Sequence, residues 1–238
     1  MAIYMWREHI PQELCFTANT ASSTVALNKT GSPTTVTLET STDGSNWSTY
    51  TFGNTITLSN VWDKVYWRNS SDTVTGFSTS STNFYKFVMS WSISASWDVS
   101  YLLCKTGTTD LSLSSTYCFS TLFSQCTSLT TTPKLTATVL AERCYNSMFQ
   151  LCTNLETLPK LPVLTLANYC YSGMFYWCTK IKLSTTQTWE YQTAYRIPTT
   201  WTWTAWTNSL NIMFTDTWWT FTWTPSINTT YYTSNTLV

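Results

Sequence analysis

The chain has 238 residues, with 12 Lys+Arg against 12 Asp+Glu and one His, so its formal net charge is zero. That balance excludes nucleic-acid binding driven by phosphate contacts, which needs a basic stripe, and no run of about 18 apolar residues offers a membrane-spanning helix. Charged residues are only 10% of the chain, and Ser and Thr fill the gap at about a third of it, far from ordinary usage. Threonine's branched Cβ suits a pleated, half-buried surface. Composition therefore points to a β-rich exterior protein, an adhesin or a virion component, the plain alternative being solvated β-structure of any location.

Residues 1–10 are a lead-in with no apolar run able to form the core of a signal peptide. A chain of this kind that works outside a cell is expected to arrive by another route: on a phage particle, by a non-standard secretion path, or with a leader that lies beyond this sequence. Residues 11–75 read as a small β-sandwich. Five runs, TVALNKT, TVTLETS, STYTFG, TITLSNV and KVYWRN, are strand-length and are separated by turn residues such as GSP at 31–33 and DGSN at 43–46. Residues 76–103 are a polar linker and two further strand-like runs that lead into the centre of the chain.

Residues 104–184 hold a 26-residue repeat. CFSTLFSQCTSLTTTPKLTATVLAER starts at Cys118, CYNSMFQLCTNLETLPKLPVLTLANY at Cys144, and a third copy, CYSGMFYWCTKIKLS, at Cys170 before the pattern decays. A fixed period of this size marks a stacked solenoid whose units bury their apolar faces against their neighbours. In the second copy Leu140, Cys144, Met148 and Cys152 are spaced by four, with Phe149 beside them, which predicts one face of a short helix. Leu155, Glu156, Thr157 and Leu158 run into Pro159, which predicts a short strand ended by proline. Each unit thus reads as strand plus short helix, the leucine-rich-repeat layout. The fold class expected is α+β: an N-terminal small β-sandwich, a short leucine-rich-repeat solenoid, and a β-rich C-terminal cap over the Thr/Trp-rich residues 185–238. The repeat core is expected at Cys118, Cys126, Cys144, Cys152, Cys170 and Cys178, at Phe123, Phe149 and Phe175, at Leu129, Leu155 and Ile181, and at Leu122, Met148 and Met174.

At these residues the chain resembles the BspA-type leucine-rich repeats. The matching pattern is Cys-Tyr/Phe, then Met/Leu-Phe, then Cys-Thr-x-Leu/Ile, with Pro-x-Leu following in the two complete copies, as in CYNSMFQLCTNLETLPKL. The stretch CFTANTASSTVALNKTGSPTTVTLETSTDGSNWSTY is similar to the β-module that often precedes such repeats, and PSINTTYYTSNTLV to their closing segment. The resemblance implies surface exposure and binding, on bacterial surface proteins or gut-phage proteins, and carries no catalytic residues.

The cysteines read as small buried apolar residues in two columns. On a helix Cys144 and Cys152 would sit about 12 Å apart, and like positions in adjacent units about 8–10 Å apart, whereas a disulfide needs Cα atoms within about 7 Å. No metal site and no cofactor is expected: the spacing is not CxxC, and the only histidine is His9.

Three readings of the 14 tryptophans stay open. Trp201 and Trp203 would share one strand face as an aromatic platform for sugar rings, or the side chains are core. The third reading comes from the resemblance. Similar sequences carry glycine where Trp62, Trp91, Trp97, Trp177, Trp189, Trp201, Trp203, Trp206, Trp218, Trp219 and Trp223 stand here, as a UGA codon read with the wrong meaning would produce. Trp47 and Trp67 look native, and Trp6 is undecided.

The function expected is non-enzymatic recognition or adhesion at an extracellular surface or on a phage virion, binding a protein or glycan of a host or neighbouring cell, without nucleic acid and without membrane insertion. By register the contacts fall to Thr130, Glu156 and Lys182, with Lys134 and Lys160 at the strand ends; the plain alternative for each is a solvated surface residue. A second reading is virion decoration with no ligand. An enzyme, such as a glycan hydrolase, would need paired carboxylates or a nucleophile and its base. The acids are scattered from Glu8 to Asp216 and no GxSxG, HExxH or P-loop is present.

Overall fold

Period-two alternation in the first hundred residues builds two facing sheets. The computed structural model describes residues 12–72, 76–107, 111–197, 204–205, 208–219 and 224–238, with 204–205 and 218–219 in their backbone alone. The lead-in with His9, and Trp6, Trp201, Trp203, Trp206 and Trp223, lie outside the described residues. The strands are β1 (Leu14–Ala18), β2 (Ser23–Thr30), β3 (Leu38–Ser41), β4 (Ser48–Thr49), β5 (Ile56–Leu58), β6 (Lys64–Asn69), β7 (Phe84–Ser90) and β8 (Ile93–Ser96). One sheet runs β8-β1-β6-β3-β4, and the other β5-β2-β7. β1 lies between β6 and β8, with Leu14 opposite Trp67 and Phe16 opposite Ala95. β2 pairs with β7 over seven residues, Thr24 to Thr30. The strands of 84–96 are thus integral to both sheets. Leu14, Phe16, Val25, Leu27, Trp67 and Phe87 are buried between them. There the Phe87 ring lies 4.9 Å from Phe16 and 5.2 Å from Trp67.

Short strands follow: β9 (Ser112–Leu113), β10 (Leu129–Thr131), β11 (Val139–Leu140), β12 (Thr157–Leu158), β13 (Thr165–Leu166), β14 (Lys182–Ser184), β15 (Thr193–Arg196), β16 (Thr204–Ala205), β17 (Trp218–Trp219), β18 (Thr230–Thr233) and β19 (Thr236–Leu237). β10 extends the larger sheet by pairing parallel to β8. The C-terminal β19 returns to pair with β12. β14 lies between β17 and β18, with β15 beyond β18.

The expected fold class is overturned. Strands hold 32% of the residues and helix 2%, in several small sheets. Among the described residues the helix is one 3-10 turn, Val99–Leu102. The protein is an all-β chain, not an α+β chain with a strand-plus-helix solenoid. The face expected as helical, Cys144 to Cys152 and its counterparts, is built of consecutive four-residue turns. Every fourth residue has positive φ: Tyr117, Thr121 and Gln125 in the first copy, Arg143, Ser147 and Leu151 in the second, Tyr169, Gly173 and Trp177 in the third. Within a copy, amides donate three residues back, Ser120 to Tyr117 O, Ser124 to Thr121 O and Cys126 to Phe123 O, at 2.9–3.0 Å. Alternate amides donate to the next copy: Phe119 to Cys144 O (2.8 Å), Thr121 to Asn146 O (3.0 Å) and Phe123 to Met148 O (2.9 Å). An α-helix would keep all of these inside itself, four residues back. Helix and turn ladder both place side chains alike every four residues, so apolar spacing alone does not separate them.

A fourth copy lies in the segment expected as cap. Tyr171, Gly173, Phe175 and Trp177 donate to the carbonyls of Ser209, Asn211, Met213 and Thr215, so Met213-Phe214 stands where Met174-Phe175 and Met148-Phe149 stand in the copies before. The rings of Phe87, Phe123, Phe149, Phe175 and Phe214 form one continuous stack, with centroids 5.2, 5.4, 5.6 and 5.3 Å apart. The stack starts in β7, so the two sheets and the turn ladder share one core. The twelve Cys, Phe, Leu and Ile residues expected as repeat core are all buried.

All eight cysteines are free thiols. The second column is more than apolar filling: Cys126, Cys152 and Cys178 donate through Sγ to the carbonyls of Phe87, Phe123 and Phe149 at 3.1, 3.0 and 2.9 Å. Cys152 and Cys178 therefore bond the copy before them and Cys126 bonds β7, each at the carbonyl of the stacked phenylalanine.

The described tryptophans fall into two groups. Trp67 is core, and Trp47 lies under the Arg68 guanidinium, 3.8 Å from its ring centroid. Trp62, Trp91, Trp97 and Trp177 have φ of 72°, 62°, 63° and 61°. Trp62, Trp91 and Trp189 are 73%, 68% and 86% exposed.

Candidate functional site

Three of the five expected contact residues form one row. Glu156 N donates to Thr130 O at 2.8 Å, aligning the strand segments of the first two copies. The third copy is joined through Asn235, just before β19. Its Nδ2 donates to the carbonyls of Glu156 (2.9 Å) and Lys180 (3.1 Å), and its Oδ1 accepts from Lys182 N at 2.7 Å. Thr130, Glu156 and Lys182 therefore follow one another across the copies.

This row borders two surface depressions, of about 540 and 440 Å³, that share Glu156 and Lys180. The first also takes in Asn19, Trp91, Ser94 and Thr130, and the second Lys182 and Asn235. At one end Asn19 Nδ2 donates to Ser92 Oγ (3.2 Å), Ser94 Oγ (2.9 Å) and Thr130 Oγ1 (3.1 Å), and Thr130 Oγ1 also donates to Ile93 O at 3.0 Å. The Thr130 hydroxyl is thus already engaged within the protein. At the other end the charges pair on the surface, Lys180 with Glu156 at 2.6 Å and Lys182 with Glu190 at 3.7 Å. Two acids balance two bases, so the strip carries no net field. Exposed pairs of this kind contribute about 0–1 kcal/mol, which leaves both partners available for exchange.

Lys134 and Lys160 do not join the row. Lys134 Nζ sits 5.3 Å from the Trp97 ring centroid, beside Asp98, with which Lys134 forms a parallel bridge. Lys160 is exposed, with its amide bonded to the carbonyl of Val238 at 2.9 Å. Asn19, Ser94, Lys180 and Asn235 were not foreseen. Asn19 meets Thr130 from 111 positions away and Asn235 meets Glu156 from 79, distances over which no local pattern carries a signal. Lys180 lies in the turn before β14, two residues ahead of Lys182.

Among the described residues no group of three or more His, Cys, Asp or Glu is placed to hold a metal ion. No helix there is long and apolar enough to cross a membrane. Comparison of the chain with protein-family models, with curated proteins and with solved structures finds no match.

Proposed function

We propose that the protein is a non-enzymatic recognition or adhesion protein, displayed on a bacterial surface or a phage particle, that binds a protein or glycan partner on another cell. The observation that carries this reading is the row of Thr130, Glu156 and Lys182 with Lys180 beside them, a polar strip in which Glu156 and Lys180 are exposed and Thr130 and Lys182 half-buried, tied from copy to copy by main-chain hydrogen bonds and the buried Asn235. Binding sites on rigid scaffolds lose little freedom on association, which favours such a strip over a loop. Its exposed, exchangeable ion pairs can be traded for contacts with a partner of mixed polarity. The resemblance to BspA-type surface repeats points the same way.

The test is binding of the fluorescently labelled chain to intact bacterial cells, with the Glu156→Ala, Lys180→Ala, Lys182→Ala triple variant beside it. Saturable binding that the triple variant loses, with its melting temperature kept within a few degrees because surface pairs contribute so little, is the expected result. Binding that the triple variant retains would move the contact surface elsewhere. No binding by the parent chain to any cell type would leave virion decoration as the better reading.

A further inference from the structure

A third depression, of about 560 Å³, lies apart from the polar strip, where the 3-10 turn meets the first copy. Trp97, Asp98, Ser100, Tyr101, Lys134 and Thr136 line it. Asp98 caps the 3-10 turn: its Oδ1 accepts from Ser100 N at 2.8 Å, and its Oδ2 accepts from the Thr136 hydroxyl. Burial raises the Asp98 pKa, against the pull of Thr136, Ser100 and the Lys134 ammonium. An ionised carboxylate offers about four acceptor positions, so two internal bonds leave acceptors free. The Ser100 hydroxyl, buried at the same place, has no partner of hydrogen-bond geometry, though it is near enough to help lower the Asp98 pKa. Tyr101 packs directly on Gly107. A Cβ there would come within 2.5 Å of the ring, and φ at Gly107 is +67°, so only glycine lets the ring take this position. Trp97 supplies the second aromatic wall.

The cavity thus combines two aromatic rings, one carboxylate and one ammonium. An anionic ligand would meet Asp98, and a wholly apolar one would leave both charges desolvated without partners. A pyranose ring fits the chemistry. Its C–H face stacks on an aromatic side chain, and its hydroxyls both donate to a carboxylate and accept from an ammonium. We propose that this cavity is a subsite for one neutral sugar residue, stacked on Trp97 and Tyr101 and held by hydrogen bonds to Asp98 and Lys134. The subsite is independent of the polar strip and does not rest on its reading.

The experiment is saturation-transfer NMR on the full chain with the methyl glycosides of glucose, galactose, mannose and N-acetylglucosamine as probes. Transfer to the ring protons of at least one glycoside is expected. Trp97→Ala should weaken that sugar about tenfold, the loss of one aromatic contact, and Trp97→Phe should restore most of it. Asp98→Ala should abolish binding. Because Asp98 also caps a turn, Gln12→Trp is the companion variant: it fills the mouth of the cavity from an exposed position and should abolish transfer with the melting temperature unchanged. Glu156→Ala, on the strip, should leave transfer as it is. Absence of transfer from all four glycosides, or transfer that survives both Asp98→Ala and Gln12→Trp, would overturn the proposal.

Discussion

Replacing Trp62, Trp91 and Trp177 together by glycine should make this protein more stable, although three large side chains are lost. All three sit at positive φ, 72°, 62° and 61°, and are exposed. A residue with a Cβ in that region carries about 1–2 kcal/mol of strain. Glycine removes the strain and adds about 0.5–1 kcal/mol of unfolded-state entropy. The net gain is about 0.5–1 kcal/mol at each site, or about 2 kcal/mol for three that lie on separate turns and so add. The structural bonds at these positions run through the main chain, Trp62 N to Ala18 O at 2.8 Å and Trp177 N to Thr215 O at 2.9 Å, and glycine keeps them. In a chain of this size about 1 kcal/mol moves the melting temperature by about 2–4 °C, so the triple variant should melt about 4–8 °C higher. Urea titration should give a higher midpoint at unchanged slope. Trp67→Gly is the control: Trp67 is fully buried, and its removal should cost more than about 3 kcal/mol. A triple variant less stable than the parent would refute the strain argument. Peptide mass spectrometry of the protein from its natural source is the companion measurement. The glycine reading predicts glycine at 62, 91, 97 and 177, whereas tryptophan there would make the strain a property of the native chain and keep Trp97 as a wall of the Asp98 cavity.

Phe149→Ala removes the middle ring of the five-ring stack and should cost about 3–5 kcal/mol, read as a lowered urea midpoint; a loss below about 1 kcal/mol would mean the stack is not load-sharing. Alkylation of the native protein should modify Cys104 first, the one thiol that is not buried, with the other seven reacting only on unfolding, as tryptic mapping would reveal. Stability should fall on the alkaline side. Burial holds the Cys126 and Cys144 thiols at about 12 instead of 9.0, so the folded state keeps protons that the unfolded chain has lost. Their contribution is complete below about pH 9 and is lost as pH rises from there through about 12. Urea midpoints that stay level across that window would contradict it.

The sequence by itself determined the repeat, its 26-residue period and the identity of its buried columns, because periodic burial writes itself directly into residue type. It also determined the two-faced strands of the N-terminal sheets, where alternation maps one residue to one face. It did not determine how each copy bonds. Spacing by four is common to an α-helix and to a row of four-residue turns, and what separates them is the sign of φ at Thr121, Ser147 and Leu151, residues whose type gives no warning of a left-handed backbone. The fourth copy was hidden for a related reason: Ser209 and Thr217 stand where the other copies carry cysteine, leaving Met213-Phe214 as its main signature. The polar strip was half legible, since Glu156 and Lys182 follow from strand register. Asn19 and Asn235 reach it only because the chain folds back from both ends. The cavity at Asp98 is wholly tertiary. Its carboxylate, its ammonium and its aromatic walls come from a turn, a strand end and a glycine-supported loop, and the contacts that bring these together have no local pattern in the sequence.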